Sequence, residues 1–228
     1  MKTIYILVLA LILSSCGANK FLTSSVTSAE IKDVDYFEPF AYIQLIEKGN
    51  KPKFSDSLST ITIRNLDSII DAKDDKLRLS NKILIENDTL KARVENELAY
   101  LTQLIFQTRQ LDGIELTPAI DSILEHNNQR FAMATIATGF GRKKGNLGGQ
   151  VAKGIAVGIL TLGMAVPTPV KSNLTLYTYI FDSEKNEVAF YRRLIPDKEK
   201  EPTDPTYIER QLLATFNGYF YEKNNYYQ

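Results

Sequence analysis

The chain has 228 residues, with 27 Lys and Arg against 27 Asp and Glu, one histidine and one cysteine. That balance excludes the broad basic field of a nucleic-acid binder and an acidic tail. A single cysteine excludes an intrachain disulfide, while the length is enough for one well-buried domain.

In chain order, Lys2 precedes an almost wholly apolar run, Ile4 to Leu13 (IYILVLALIL). It has the length of a signal-peptide core and falls short of the roughly 20 apolar residues that span a bilayer. Ser14, Ser15 and Cys16 follow. Leu13-Ser14-Ser15-Cys16 resembles the lipobox of bacterial lipoproteins. The resemblance implies that residues 1–15 are a cleaved signal peptide and that the Cys16 thiol carries a diacylglyceryl group. It also implies that the new amino terminus is acylated. Several acyl chains hold a protein on a membrane where one does not, so the membrane is an expected partner through Cys16. By the same resemblance, Gly17 after the cysteine and the lack of an acidic cluster in GANK imply the outer membrane and its periplasmic face. The competing readings are an ordinary secretory signal with a chance cysteine, and a buried amino-terminal helix.

Residues 16–35 are polar and rich in Ser and Thr. We expect a lipidated tether there, reaching at most about 60 Å, and one domain over 36–222. Residues 40–47 (FAYIQLIE) alternate loosely and predict a strand, broken by Gly49-Asn50 and Pro52. The β-branched run 60–64 (TITIR) predicts a short strand, and Leu66, Ile69 and Ile70 a short helix. Residues 82–86 (KILIE) fit a strand better than a helix. Leu90, Val94, Leu98, Leu101, Ile105, Thr108 and Leu111 recur at steps of three or four, predicting an amphipathic helix over 89–111 capped by Asp88. Thr117-Pro118 opens a second helix, threonine accepting from the freed amides and proline losing nothing at the first position. Asn127-Asn128 end it. Residues 130–138 (RFAMATIAT) predict a buried strand, followed by an interruption over 139–171. Residues 173–181 and 187–195 alternate on either side of a polar turn and predict a hairpin. Asp204-Pro205 opens a last helix, with Tyr219 and Phe220 packing after it. The order gives an α/β (α+β) domain, a single mixed sheet with helices packed on it.

Four stretches carry a further resemblance: the helix 89–111, "TPAIDSILEHNNQRFAMATIATGFG" as helix then strand, the hairpin "LTLYTYIFDSEKNEVAFYRRL", and the closing helix "DPTYIERQLLATF". Their order is similar to that of a group of periplasmic α/β domains. The group includes the curli secretion-channel lipoproteins, the lipoproteins that activate penicillin-binding proteins, and the amino-terminal domain of the Tol translocation protein. The resemblance implies an anticodon-binding-like or Tol-amino-terminal-like sandwich of two or three layers. It also implies a non-catalytic lipoprotein acting through protein contacts. Here residues 49–88 blur the early strand-to-helix step, and no functional residue carries over.

The residues offer little chemistry of their own. The one histidine, His126, stands at the carboxy end of a predicted helix, where its cation suits the helix dipole; a nucleophilic triad needs more. Asp71, Asp74 and Asp75 (DAKDD) lack the glycine and closing glutamate of a calcium loop. "GFGRKKGNLGG", 139–149, follows a strand as phosphate loops do, yet matches neither G-x-x-x-x-G-K-[ST] nor G-x-G-x-x-G. No enzyme activity, metal or cofactor is expected.

Residues 151–166 (VAKGIAVGILTLGMAV) fit none of these patterns. They are apolar and glycine-rich, with no charge from Ile155 to Val166, and too short to be a membrane-spanning helix. Three readings stay open: a buried piece of the core, an apolar contact loop, or an insertion that forms a membrane hairpin on oligomerisation. The contact candidates are Arg142, Lys143, Lys144, Ile155, Ile159, Leu160, Leu162 and Met164, the three cations being able to touch anionic lipid. The expected function is a lipid-anchored envelope module that binds a protein partner. The alternative is a ring-forming secretion or pore component that self-associates through 151–166. A hydrolase or small-ligand binder has no residue in its favour.

Overall fold

A computed structural model describes residues 20–143, 146, 171–195 and 198–221. In chain order these residues form β1 (Phe21–Thr23), β2 (Val34–Phe37), β3 (Phe40–Ile46) and β4 (Pro52–Phe54), then α1 (Asp56–Ala72), α2 (Asp74–Leu77) and β5 (Leu79–Ile83). The helices α3 (Asp88–Thr108) and α4 (Pro118–His126) follow, then β6 (Phe131–Arg142), β7 (Asn173–Asp182), β8 (Glu187–Leu194) and α5 (Pro205–Thr215). All eight strands join one mixed sheet, ordered β1-β8-β7-β6-β2-β5. The first half of β6 runs parallel to β2 and the rest parallel to β3. β2 and β3 are thus one line of chain, interrupted at Glu38-Pro39, where proline has no N–H to give a ladder. β4 folds back antiparallel on β3, and β5 lies parallel to β2 on the edge.

The helices divide between the two faces, giving three layers. On one face, Leu66, Ile69 and Ile70 of α1 and Ile208 and Leu212 of α5 pack on Ile43, Met133, Ala137, Leu174 and Leu176. On the other, Val94, Leu98, Leu101 and Ile105 of α3 and Ile120 and Leu124 of α4 pack on Phe40, Ala134, Ile136, Tyr179 and Phe181. Burying each of the larger side chains, alanines apart, contributes about 1.5–3 kcal/mol before entropy is counted.

The expected α/β mixed sheet is the architecture found, and several local expectations are corrected. From residue 20 onward the stretch read as tether belongs to the fold: Phe21–Thr23 pair with β8, Val26 and Ile31 are buried, and β2 begins at Val34. Its few apolar residues are scattered among Ser and Thr, which hid them. Residues 60–64 are helical, because Ser59, Thr62, Leu66, Ile69 and Ile70 fall on one buried helix face and Ser55 caps the first turn. Tertiary burial here overrides the β-preference of TITIR. The cap of α3 is Asn87, not Asp88; its side chain accepts from Thr89 N and Leu90 N, and the helix stops at Thr108.

The amino end of α4 also differs. Thr117 makes no side-chain cap bond. The Glu97 carboxylate of α3 accepts instead from Ala119 N at 3.0 Å and Ile120 N at 3.3 Å. Residues 139–142, expected to open the interruption, continue β6 as far as Arg142, opposite Ile46.

Candidate functional site

One end of the sheet holds Arg142 and Lys143, the two contact candidates among the described residues. β3 ends there at Ile46, β6 at Arg142 and β8 at Leu194, and β7 starts there at Asn173. The chain before β1 leaves toward the same end, since Phe21 lies opposite Arg192 on an antiparallel neighbour. The opposite end carries the β7–β8 turn and His126, so the one imidazole is far from Arg142 and Lys143.

The stems of the 144–170 segment are held at this end. Lys143 N donates to Ile46 O at 3.0 Å. The Arg142 guanidinium donates to Gly49 O at 2.9 Å and Asn50 Oδ1 at 3.1 Å, bracing the β3–β4 hairpin. Asn146 Nδ2 reaches the same Gly49 carbonyl at 3.1 Å. On the return stem, Phe140 N donates to Asn173 Oδ1 and Lys171 N to a Glu199 carboxylate oxygen. Arg142 is therefore a structural strut, and Lys143 is exposed. Cys16, Lys144, Ile155, Ile159, Leu160, Leu162 and Met164 lie outside the described residues.

Beside the stems, the sheet face that α3 covers lower down is open. Strand alternation places Phe40, Tyr42 and Gln44 on one side of β3, yet only Phe40 reaches the helix layer. Tyr42 is 40% exposed and Phe54, paired opposite Gln44, is 57% exposed. A shallow cavity of about 450 Å³ runs between Tyr42, Glu95, Ala99, Ile136, Thr138 and Tyr177. Partial burial, then the Glu95 carboxylate beside it, pushes the Tyr42 phenol well above the usual tyrosine range. The Arg193 guanidinium sits 5.7 Å over the Tyr177 ring. A second cleft, of about 680 Å³, follows the free side of β5 between Asp35, Glu86, Asn87, Ser122 and His126.

These groups offer aromatic faces, hydroxyls and charge rather than a nucleophile beside a base. Among the described residues no cluster of three or more His, Cys, Asp or Glu could hold a metal ion. No described helix is long and apolar enough to cross a membrane. Sequence reasoning missed Tyr42, Glu95, Phe54 and the hairpin lysines. The signal for Tyr42 was present, because period-two alternation puts it with Gln44. What the pattern lacked was where α3 stops covering the sheet. No protein-family model matches this chain, and no curated protein matches it.

Proposed function

We propose that this protein is a lipid-anchored lipoprotein of the bacterial outer membrane, on its periplasmic face, whose α/β body is a non-catalytic module that binds an envelope protein. The lipobox-like Leu13-Ser14-Ser15-Cys16 supplies the anchor. The observation that carries the reading is the common direction of the chain at one end of the sheet. The segment upstream of β1 and both stems of the apolar 144–170 segment leave from that end. Only four residues separate Cys16 from Phe21, and those five steps reach at most about 18 Å. The body then sits close to the bilayer, with the open face around Tyr42 and Tyr177 beside it, available to a partner.

Fractionation of cells making Cys16→Ala tests the anchor. The variant is expected in the soluble envelope fraction while the unaltered protein stays with membranes. A variant that stays with membranes would remove the anchor from the reading. A ring-forming secretion or pore component is the second reading. One observation favours it: the segment is carried between hydrogen-bonded antiparallel neighbours, with Phe140 opposite Asn173, as a hairpin extended from the sheet would need. Light scattering with and without liposomes separates the two, a discrete large oligomer on liposomes selecting the ring.

A further inference from the structure

The molecule is formally neutral as a whole, but its charge is unevenly placed. The β3–β4 hairpin, residues 47–53, carries Lys48, Lys51 and Lys53, all exposed, against the single carboxylate of Glu47. Exposed Lys143 stands next to it, on the strand end that pairs with Ile46. None of these four lysines makes an ion pair with another described residue. The hairpin is also held in place from below: Arg142 and Asn146 both donate to the Gly49 carbonyl, and Gly49 takes a positive φ of 65° at the turn. Phe54, 57% exposed, ends the hairpin with an aromatic ring that stands mostly in the open.

We propose that this hairpin is a docking surface for an anionic bilayer, with Lys48, Lys51, Lys53 and Lys143 facing lipid phosphates and Phe54 entering the headgroup layer. Charge complementarity selects the partner: clustered lysines gain at an anionic lipid surface and not at a neutral one. Position selects the bilayer over a free anion. The lysines crown the end of the sheet toward which the chain before β1 leaves, and this step rests on the anchor reading given above. The cavity among these residues, about 520 Å³ between Glu47, Lys48, Gly49, Asn50, Lys51 and Lys53, is far larger than one small anion and has a carboxylate in its lining, so the spaced ammonium groups suit a flat array of phosphates better.

The test uses the chain from residue 16 onward with Cys16→Ser, which carries no lipid, so its outcome is independent of the anchor. Its sedimentation with vesicles of phosphatidylcholine plus phosphatidylglycerol is compared with that on phosphatidylcholine alone, at low and high salt. Binding is expected on the anionic vesicles only, and it should weaken in high salt. Lys48→Gln/Lys51→Gln/Lys53→Gln should lower partitioning at least about tenfold. Lys32→Gln/Lys76→Gln/Lys185→Gln removes the same charge at the far end of the sheet and should change it little. Circular dichroism confirms that both variants fold. Equal binding to neutral and anionic vesicles, no binding to either, or a hairpin variant that binds like the parent would each overturn the proposal. Failure here with release by Cys16→Ala in cells leaves the anchor standing; binding here without that release removes the anchor alone.

Discussion

At Gly139 the backbone of β7 passes so close that a β-carbon would overlap the Asn173 carbonyl oxygen. Glycine inside a strand marks such an approach, and here it lets the strand continue to the point where the apolar segment departs. At Gly141 the neighbours are side chains, with Glu201 Oε2 at 3.2 Å and Leu58 Cδ1 at 3.4 Å from the added carbon, and these can yield. Gly139→Ala is therefore expected to cost about 1–3 kcal/mol, and Gly141→Ala clearly less. Urea unfolding of the two variants checks the order; equal costs would mean that β7 moves aside freely. The sequence "GFG" reads as a loop because glycine pairs punctuate turns in most contexts. Only the partner strand, more than 30 residues later, reveals the need for bare backbone.

At the scale of elements, the helix α4 begins on a carboxylate borrowed from its neighbour. Glu97 is paired with Arg93 on its own helix and accepts two amides of α4. Glu97→Ala should leave those amides unpaired at a cost of about 1–3 kcal/mol, whereas Thr117→Val should be nearly neutral because the threonine makes no cap bond. Thermal unfolding of both variants decides it, and a costly Thr117→Val with a harmless Glu97→Ala would return the cap to the threonine. The same contrast explains what was legible. The elements α3, β7 and β8 could be read because a sustained period of 3.6 or 2 encodes a buried face within one segment. The helix at 60–64 was legible too, since Ser59, Thr62, Leu66, Ile69 and Ile70 recur at helical spacing behind the Ser55 cap, but the β-branched run TITIR masked it. The cap on α4 and the pairing of β1 depend on residues far away in sequence, so no local window contains them. The open face around Tyr42 was hidden for the same reason: a strand's pattern says which side chains share a face, not where the covering helix ends.

For the whole molecule, the sheet's two faces bury several phenols. Burial holds Tyr179 and Tyr191 well above the usual tyrosine range, and burial followed by the hydrogen bond to Asp71 does the same to Tyr36. Burial also pushes Tyr219 up to about 12. The folded state therefore favours the protonated form of each. Their contribution is fully present below the unfolded value near 10 and is lost as pH rises through the higher folded values. Urea midpoints should be insensitive to tyrosine ionisation up to about pH 9 and fall above about pH 10, with phenolate absorbance appearing together with unfolding. Phenols that all titrate near pH 10 in a protein that stays folded would show that the sheet is not closed over them.

The place of β6 in the sheet also sets a timetable. Asp35 pairs with Ala132, Phe40 with Ile136 and Ile46 with Arg142. Met133 and Ala137 floor one core, and Ala132, Ala134 and Ile136 floor the other. Neither helix layer has a surface to settle on until β6 is in place, and its partners lie nearly a hundred residues upstream. Such non-local pairing puts folding on the order of milliseconds to seconds rather than microseconds. A chain that emerges amino end first must therefore be out as far as Arg142 before either core can close, and everything upstream of β6 waits for that strand unpacked.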